Sequence, residues 1–253
     1  MAGHDSGSTA ATSARPRQQR PTPSRVAGAP RGVLDPRRLP PGDDPAHLVV
    51  EPPTGFYARW GKPLLDRVLA LLLLVLLSPL LALLMVAVRI DLGSPVLFRQ
   101  QRVGLHGRTF AMVKLRTMRP DRRRADLPFE GPDRRRTHKH PADPRLTRFG
   151  RFLRAWSLDE LPQLVHVLRG EMSLVGPRPE LVSVVARYEP WQHRRHLVKP
   201  GLTGLWQVTE RGSTPMHERT DLDLEYVRRL SPVTDLGILL RTVPAALGRR
   251  RGT

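Results

Sequence analysis

The chain has 253 residues, 40% of them hydrophobic, which is enough for one ordinary domain with a true core and some extension. It carries 42 Lys and Arg against 23 Asp and Glu, and this net charge of +19 favours polyanionic partners such as lipid headgroups, phosphorylated small molecules or nucleic acid. Because the chain has no cysteine, disulfide frameworks, thiolate zinc sites and cysteine nucleophiles are excluded.

The first segment, residues 1–47, lacks hydrophobic periodicity. Ala, Pro, Arg, Ser and Gly dominate it, as in the run TSARPRQQRPTPSR. This composition is typical of a disordered basic tail. We therefore expect folded structure to begin at about residue 48.

An uncharged apolar run of 21 residues extends from Val68 to Val88. As a helix it would measure about 31 Å, just enough to cross the hydrocarbon core of a bilayer. Ser78 and Pro79 stand at its centre, where proline removes a backbone hydrogen bond, so a kink or break is expected there. Basic residues flank the run on both sides, whereas a spanning helix usually has a basic excess on its cytoplasmic side. We therefore predict a re-entrant helical hairpin within residues 48–94; a single kinked spanning helix is the alternative.

The segment from Pro95 to Met118 has short apolar or alternating runs divided by two glycines, which predicts a strand hairpin. It ends with Lys114 and Arg116, which an extended chain would point the same way. A polar, Arg-rich loop follows over residues 119–140, and we expect it to face solvent or lipid headgroups. A basic amphipathic stretch, Asp143–Trp156, then leads to a pair of acids.

These adjacent carboxylates, Asp159 and Glu160, lie in the sequence SLDELP. By pattern alone they fit a capping box, with Ser157 as N-cap and Glu160 bonded back to it. Apolar residues at helical spacing then predict an α-helix that has Pro162 in its first turn and stops at Gly170. A purely structural role is therefore one interpretation of the pair, and a chemical role is the other.

The C-terminal region, Leu222–Val243, has apolar residues near helical spacing. We expect it to close the core or to lie on a membrane interface. The chain then ends with a basic run, Arg249–Arg251, that fits anionic lipid.

Six motifs, in their order and spacing, resemble the bacterial sugar transferases, which are monotopic polyprenyl-phosphate phosphoglycosyl transferases. They are FRQQRVG, KLRTM, DPRLTRFGRFLR, SLDELPQL, MSLVGPRPE and KPGLTGLWQV. The resemblance extends over residues 62–243 and implies an α/β, mostly helical, membrane-associated monotopic fold with a re-entrant helix broken at Ser78 and Pro79. We divide the chain into a tail (1–47), a membrane region (48–94), a cytoplasmic catalytic domain (95–248) and a basic end (249–253).

The resemblance also assigns roles to the acidic pair. It implies that Asp159 is the nucleophile and that Glu160 is the ligand of a catalytic Mg²⁺. A carboxylate that attacks phosphorus forms an acyl phosphate and divides one transfer into two steps. Mg²⁺ and cationic side chains offset the repulsion between the anions. Lys114 matches an active-site lysine of the family, and the candidate substrate-binding residues are Arg116, Arg154, Arg178, Arg211 and Asp223.

The implied reaction moves a sugar 1-phosphate from a UDP-sugar to undecaprenyl phosphate through a phosphosugar-aspartyl intermediate and releases UMP. It would be the first membrane step in the assembly of an exopolysaccharide or another glycan. The implied partners are the UDP-sugar donor, the undecaprenyl phosphate acceptor and anionic membrane lipids. The implied location is the bacterial inner (plasma) membrane, with the catalytic domain on its cytoplasmic face.

Two departures from the family pattern keep an alternative open. His166 stands where the family usually has Asn, and the run TERG, residues 209–212, stands where it usually has Asn-Gly-Arg. The second departure leaves the role of Arg211 and the choice of sugar undecided, so a catalytically inactive membrane-bound scaffold of a polysaccharide-assembly complex is the alternative. A nucleic-acid binder is disfavoured, because positive charge is its only support and aromatic residues make up 5% of the chain.

Overall fold

The structure is a computed structural model that describes residues 50–119, 145–209 and 219–247. Within these ranges the protein is mostly helical with a small amount of sheet, as predicted. The predicted tail, most of the Arg-rich loop, nearly all of the TERG run and the basic end lie outside the described residues.

One long helix, α1 (Lys62–Leu92), follows a π-helical turn at Tyr57–Gly61. It is long and apolar enough to cross a membrane, by length and composition. The helix continues through Pro79, and Ser78 Oγ donates a hydrogen bond of 2.8 Å to the carbonyl of Val75. That carbonyl would otherwise lack a donor, because Pro79 has no N–H. The expected break is not observed, and the re-entrant course is not confirmed.

Both halves of α1 pack on the rest of the protein along one stripe. Ala70, in the first half, is fully buried in the main core. Leu84 and Val88, in the second half, pack with Leu115 and Leu153 in a smaller core. The remaining surface of the helix exposes Leu, Val and Ile side chains that no described residue covers.

The predicted hairpin is formed by β1 (Leu97–Val103) and β2 (Thr109–Leu115), which pair antiparallel. A short strand, β4 (Glu180–Leu181), pairs with the other edge of β1. A separate parallel pair joins β3 (Ser173–Val175) and β5 (Gly201–Thr203). The hairpin confirms the strand prediction for this segment.

Short helices and turns connect these strands. The first, α2 (Arg148–Ala155), begins at the N-cap Thr147, whose Oγ1 accepts a hydrogen bond of 2.8 Å from the backbone N–H of Gly150. The other helices are α3 (Leu164–Leu168), α4 (Val182–Val185), α5 (Leu205–Thr209), α6 (Thr220–Arg228) and α7 (Pro232–Leu247), and 3₁₀ turns lie at Leu105–Gly107, Leu158–Gln163 and Pro190–Leu197.

The C-terminal apolar pattern is carried by two helices, α6 and α7. Pro232 begins α7, where a missing N–H costs least. Leu224 and Ile238 are buried in the main core, so this region closes the core, as predicted. Among the described side chains of α7, Val233, Leu236 and Leu240 are apolar and exposed.

Candidate active site

The acidic pair lies in the 3₁₀ turn Leu158–Gln163 and not in the first turn of an α-helix. Ser157 has a left-handed backbone, with φ of 55°, and its side chain makes no capping hydrogen bond. Glu160 turns to Arg178 instead of to the backbone of Ser157. The predicted capping box is therefore wrong.

Pro162 gives the physical reason for the local structure. It has no N–H to bond to the carbonyl of Leu158, so α-helical bonding cannot begin at the start of this segment. Regular helix begins only at Leu164. Gly170, which follows α3, has φ of 75° and confirms the predicted helix stop.

Glu160 is held by Arg178. Nη1 and Nη2 of the guanidinium donate to the two carboxylate oxygens at 3.2 Å and 2.5 Å. Arg178 lies between Pro177 and Pro179, which restrict the backbone and so limit the entropy lost in holding the side chain. The charge of Glu160 raises the pKa of Arg178. The second acid of the pair is thus oriented by a two-donor ion pair.

Asp159 has different surroundings. The residue is 6% exposed, and no hydrogen bond or salt bridge joins its carboxylate to another residue in the described part of the chain. Burial, and then the charge of Glu160, raise its pKa to about 6, while Lys114, Arg154 and Arg178 act in the opposite direction. This carboxylate is ionised at neutral pH, and no donor among the described residues occupies its oxygens.

Lys114 and Arg154, together with Arg178, are the cationic side chains around Asp159. Lys114 lies near the end of β2, and burial lowers its pKa although the charge of Asp159 opposes this shift. Arg154 lies near the end of α2, and its Nε donates to Thr117 Oγ1 at 2.9 Å. The structure therefore brings together five of the predicted residues, Lys114, Arg154, Asp159, Glu160 and Arg178.

One predicted substrate contact, Arg116, makes its hydrogen bonds away from the acidic pair. The guanidinium of Arg116 donates to three backbone carbonyls at the C-terminal end of α1, those of Leu92, Gly93 and Ser94. A cation is favourable there, and this use of its donors does not support a substrate contact. Arg116 is not among the charged groups that act on Lys114, and its backbone N–H donates to the carbonyl of Val96, just before β1. Arg211 lies outside the described residues.

Asp223, also predicted to bind substrate, is buried against Arg195. Asp223 Oδ2 and Arg195 Nη2 are 2.6 Å apart, a charge contact that is not aligned as a hydrogen bond. The same guanidinium donates to the carbonyl of Arg178 at 2.8 Å and to the hydroxyl of Tyr188 at 2.7 Å. Arg195, which is 1% exposed, thus supports the residue that holds Glu160, and sequence reasoning missed it.

His166 joins α3 to β2. Its Nε2 accepts a hydrogen bond of 3.1 Å from the backbone N–H of Val113, and its Nδ1 lies 2.6 Å from Glu171 Oε2. Because Nε2 accepts, the neutral ring carries its proton on Nδ1 and donates it to Glu171. His166, one of the two departures from the family pattern, thus bonds the backbone beside Lys114 and the side chain of Glu171.

The described residues contain no cluster of three or more His, Asp or Glu side chains that would hold a metal ion by themselves. Glu160 supplies a carboxylate, and a Mg²⁺ site commonly has one or two protein carboxylates together with substrate phosphates that complete the coordination. The donor set therefore fits Mg²⁺ bound together with a diphosphate.

The sequence profile of the bacterial sugar transferase family matches residues 57–249. The chain is 45% identical over 194 residues to the UDP-glucose:undecaprenyl-phosphate glucose-1-phosphate transferase of Caulobacter vibrioides, a match that covers 74% of this chain and 69% of that protein. It is 43% identical over 198 residues to the Xanthomonas campestris pv. campestris protein of the same name, covering 75% and 39%. It is 38% identical over 198 residues to the undecaprenyl-phosphate galactose phosphotransferase of Salmonella typhimurium, covering 76% and 41%. The chain thus spans less than half the length of the last two relatives.

Proposed function

Because this chain belongs to the bacterial sugar transferase family, we propose that it moves a sugar 1-phosphate from a UDP-sugar to undecaprenyl phosphate as the first membrane step of exopolysaccharide or glycan assembly. The relatives are named for glucose and for galactose, so the proposal leaves the sugar open. One observation carries the proposal. The carboxylate of Asp159 is buried, accepts no hydrogen bond from a described residue, and lies beside a Glu160 that Arg178 holds. Cationic side chains surround this pair.

In the first step, a carboxylate oxygen of Asp159 forms a bond to the phosphorus that carries the sugar. The bond from this phosphorus to the oxygen of UMP breaks, and the electron pair leaves with UMP. The phosphosugar stays on Asp159 as an acyl phosphate. The burial that raises the pKa of Asp159 also removes water from the nucleophile.

The cationic side chains counter the charge of the donor. A diphosphate repels a carboxylate that attacks it, and the transferring phosphoryl group keeps its negative charge in the transition state. Lys114, Arg154 and Arg178 all act electrostatically on Asp159, so the same cations stabilise a phosphate placed against it. Positioned charge of this kind is the main catalytic device available in phosphoryl transfer.

We infer that Glu160 is the protein ligand of a Mg²⁺ ion, which leaves the carboxylate of Asp159 available for attack. When bound, Mg²⁺ neutralises charge on the diphosphate oxygens. Arg178 fixes the orientation of Glu160, and the Arg195 contact with the Arg178 carbonyl fixes Arg178 in turn.

In the second step, a phosphate oxygen of undecaprenyl phosphate attacks the phosphorus held on Asp159. The bond to the Asp159 oxygen breaks, the carboxylate is restored and a polyprenyl diphosphate sugar leaves. The apolar surfaces of α1 and α7 support a location at the bilayer, where the phosphate of a lipid carrier lies. We place the protein in the inner membrane with its catalytic domain on the cytoplasmic face, where basic flanks are favoured.

UMP release tests the proposal. The full chain, purified in detergent, is incubated with Mg²⁺, undecaprenyl phosphate and each of a panel of UDP-sugars. We expect release with at least one donor and loss of release in Asp159→Asn. Asp221→Asn is the matched control, because Asp221 is a half-buried carboxylate on α6 that pairs with Arg219 and not with the residues around Asp159. Folded wild-type protein that releases no UMP from any donor would instead support the scaffold alternative.

A further inference from the structure

Two cationic side chains lie close together near the N-terminal end of α1, apart from the charged residues around Asp159. Arg67 lies on the second turn of α1, and Lys199 precedes β5. Their terminal nitrogens, Nη2 and Nζ, lie 3.0 Å and 3.5 Å from the point where a Cβ on Gly170 would be. Glycine at this position, with its positive φ, leaves room for both cations beside the end of α3.

The pair has no direct counter-ion in the described part of the chain. Within residues 50–119, 145–209 and 219–247, neither the Arg67 side chain nor the Lys199 side chain makes a hydrogen bond or a salt bridge. Asp66 is the one described acid that acts on Lys199, and its oxygens already accept from Ser173 Oγ at 2.6 Å and from the backbone N–H of Leu174 at 3.1 Å.

Like charges held close together favour an anion between them. Burial, and then the charge of Arg67, lower the pKa of Lys199, while Asp66 opposes this shift. An anion that contacts both side chains would offset the repulsion between the two cations. It would also accept hydrogen bonds from their free N–H groups. A phosphate fits this requirement, because its oxygens take hydrogen bonds from a guanidinium and an ammonium group at the same time.

The position of the pair identifies the source of the phosphate. Arg67 is exposed and immediately precedes Val68, the first residue of the uncharged apolar run, whereas Lys62 and Asp66 on the same helix are buried. A cation at the end of a membrane-embedded apolar run lies at the level of the lipid headgroups.

We propose that Arg67 and Lys199, on either side of Gly170, bind the phosphate of an anionic membrane phospholipid. The inference rests on the membrane location proposed above and not on the transfer reaction. The site is distinct from the active site, because none of the charged groups that act on Asp159 is among those that act on Lys199. A bound headgroup would anchor the end of α3, which follows the acidic pair, at the membrane surface.

Thermal unfolding in mixed micelles tests the site. The full chain in a neutral detergent is titrated with phosphatidylglycerol and, separately, with phosphatidylcholine. We expect phosphatidylglycerol alone to raise the Tm by several degrees, and the Arg67→Gln, Lys199→Gln double variant to lose at least half of that rise. The control is Arg89→Gln with Arg229→Gln, which removes the same charge from exposed positions, one of them at the other end of α1.

Further arms identify the phosphate source and separate this inference from the proposed function. An equal rise in the double variant and the wild type would overturn the site. A rise with undecaprenyl phosphate or inorganic phosphate, but not with phosphatidylglycerol, would overturn the phospholipid assignment. Asp159→Asn should keep the full rise, so a failure of UMP release leaves this result unaffected. In detergent alone, the double variant should have the same Tm as the wild type. This match would show that the double variant folds.

Discussion

Asp159 and Glu160 are neighbours in the chain, yet their carboxylates have different surroundings. Two guanidinium hydrogen bonds fix Glu160, whereas Asp159 is buried and has no direct donor among the described residues. Environments that separate two carboxylates in this way usually separate their chemical roles. The pair therefore provides one fixed anion and one available nucleophile.

The pH dependence of the first step follows from the pKa of Asp159. Because burial and Glu160 raise that pKa to about 6, the carboxylate is protonated and inactive below this value and ionised above it. We expect kcat/KM for UMP release to rise through pH 6 and then to level off. The measurement is initial UMP release between pH 5 and 8 at saturating Mg²⁺. A profile that is flat across this range would contradict the assignment of Asp159 as nucleophile.

Asp223 should act through stability and not through substrate contact. Asp223→Asn keeps the shape of the side chain but leaves the buried guanidinium of Arg195 without a compensating charge, at a cost of about 1–3 kcal/mol. We expect a lower Tm and an unchanged KM for the UDP-sugar. Thermal unfolding and steady-state kinetics measure the two effects separately. A large rise in KM with an unchanged Tm would show direct substrate contact, as the sequence predicted.

At the scale of secondary structure elements, the Ser78-Pro79 pair keeps α1 continuous. The Ser78 hydroxyl replaces the N–H that Pro79 lacks at the carbonyl of Val75. Such a replacement matters most in lipid, where no water satisfies the carbonyl. The family resemblance implies a break at this pair, but the hydrogen bond compensates for the proline and the helix does not end there.

A double-mutant cycle tests this compensation. Ser78→Ala should destabilise the protein by about 1–3 kcal/mol, because the carbonyl of Val75 then has no donor. Adding Pro79→Ala should restore most of the loss, because an alanine at that position supplies the helical N–H. Thermal unfolding of the single and double variants in micelles measures both changes. A Ser78→Ala protein as stable as the wild type would refute the role of the hydroxyl.

Local patterns predicted the elements, and long-range contacts decided the details. The apolar run gave the position of α1, and the alternation before Met118 gave the hairpin. The capping box failed because Pro162 delays the helix. The contacts of Arg116 with the end of α1 join segments that are distant in the sequence, so its own motif does not mark them. Arg195 could not be found from its own segment, PWQHRRHL, which looks like polar surface. Its partners Arg178 and Asp223 are distant in the sequence, so nothing local marks it as buried.

At the scale of the whole molecule, both ends of α1 contact the rest of the fold. Lys62 Nζ lies 2.6 Å from Asp235 Oδ2 on α7, and Thr147 Oγ1 donates to Asp91 Oδ2 at 2.6 Å. The chain flanking the apolar run is thus tied at each end to the catalytic part of the protein. These contacts favour the predicted location of both flanks on one side of the membrane, but the unbroken α1 does not confirm a re-entrant course.

Cysteine labelling tests this arrangement cleanly, because the native chain has no cysteine. Gly55→Cys and Ser94→Cys place one thiol before α1 and one after it, and a Cβ at Gly55 meets no neighbouring atom within 4 Å. In inside-out vesicles, an impermeant maleimide should label both variants; in intact spheroplasts it should label neither. Labelling of one variant from each side would show a spanning helix and exclude the re-entrant course.

The most direct test of the mechanism is to observe the covalent intermediate. The purified protein is incubated with Mg²⁺ and the UDP-sugar that supports UMP release, without undecaprenyl phosphate, and is then analysed by peptide mass spectrometry. We predict a mass gain of one phosphosugar on the peptide that contains Asp159, absent in Asp159→Asn and removed when the carrier is added. Active protein that carries no such adduct, or carries it on another residue, would contradict the central role of Asp159.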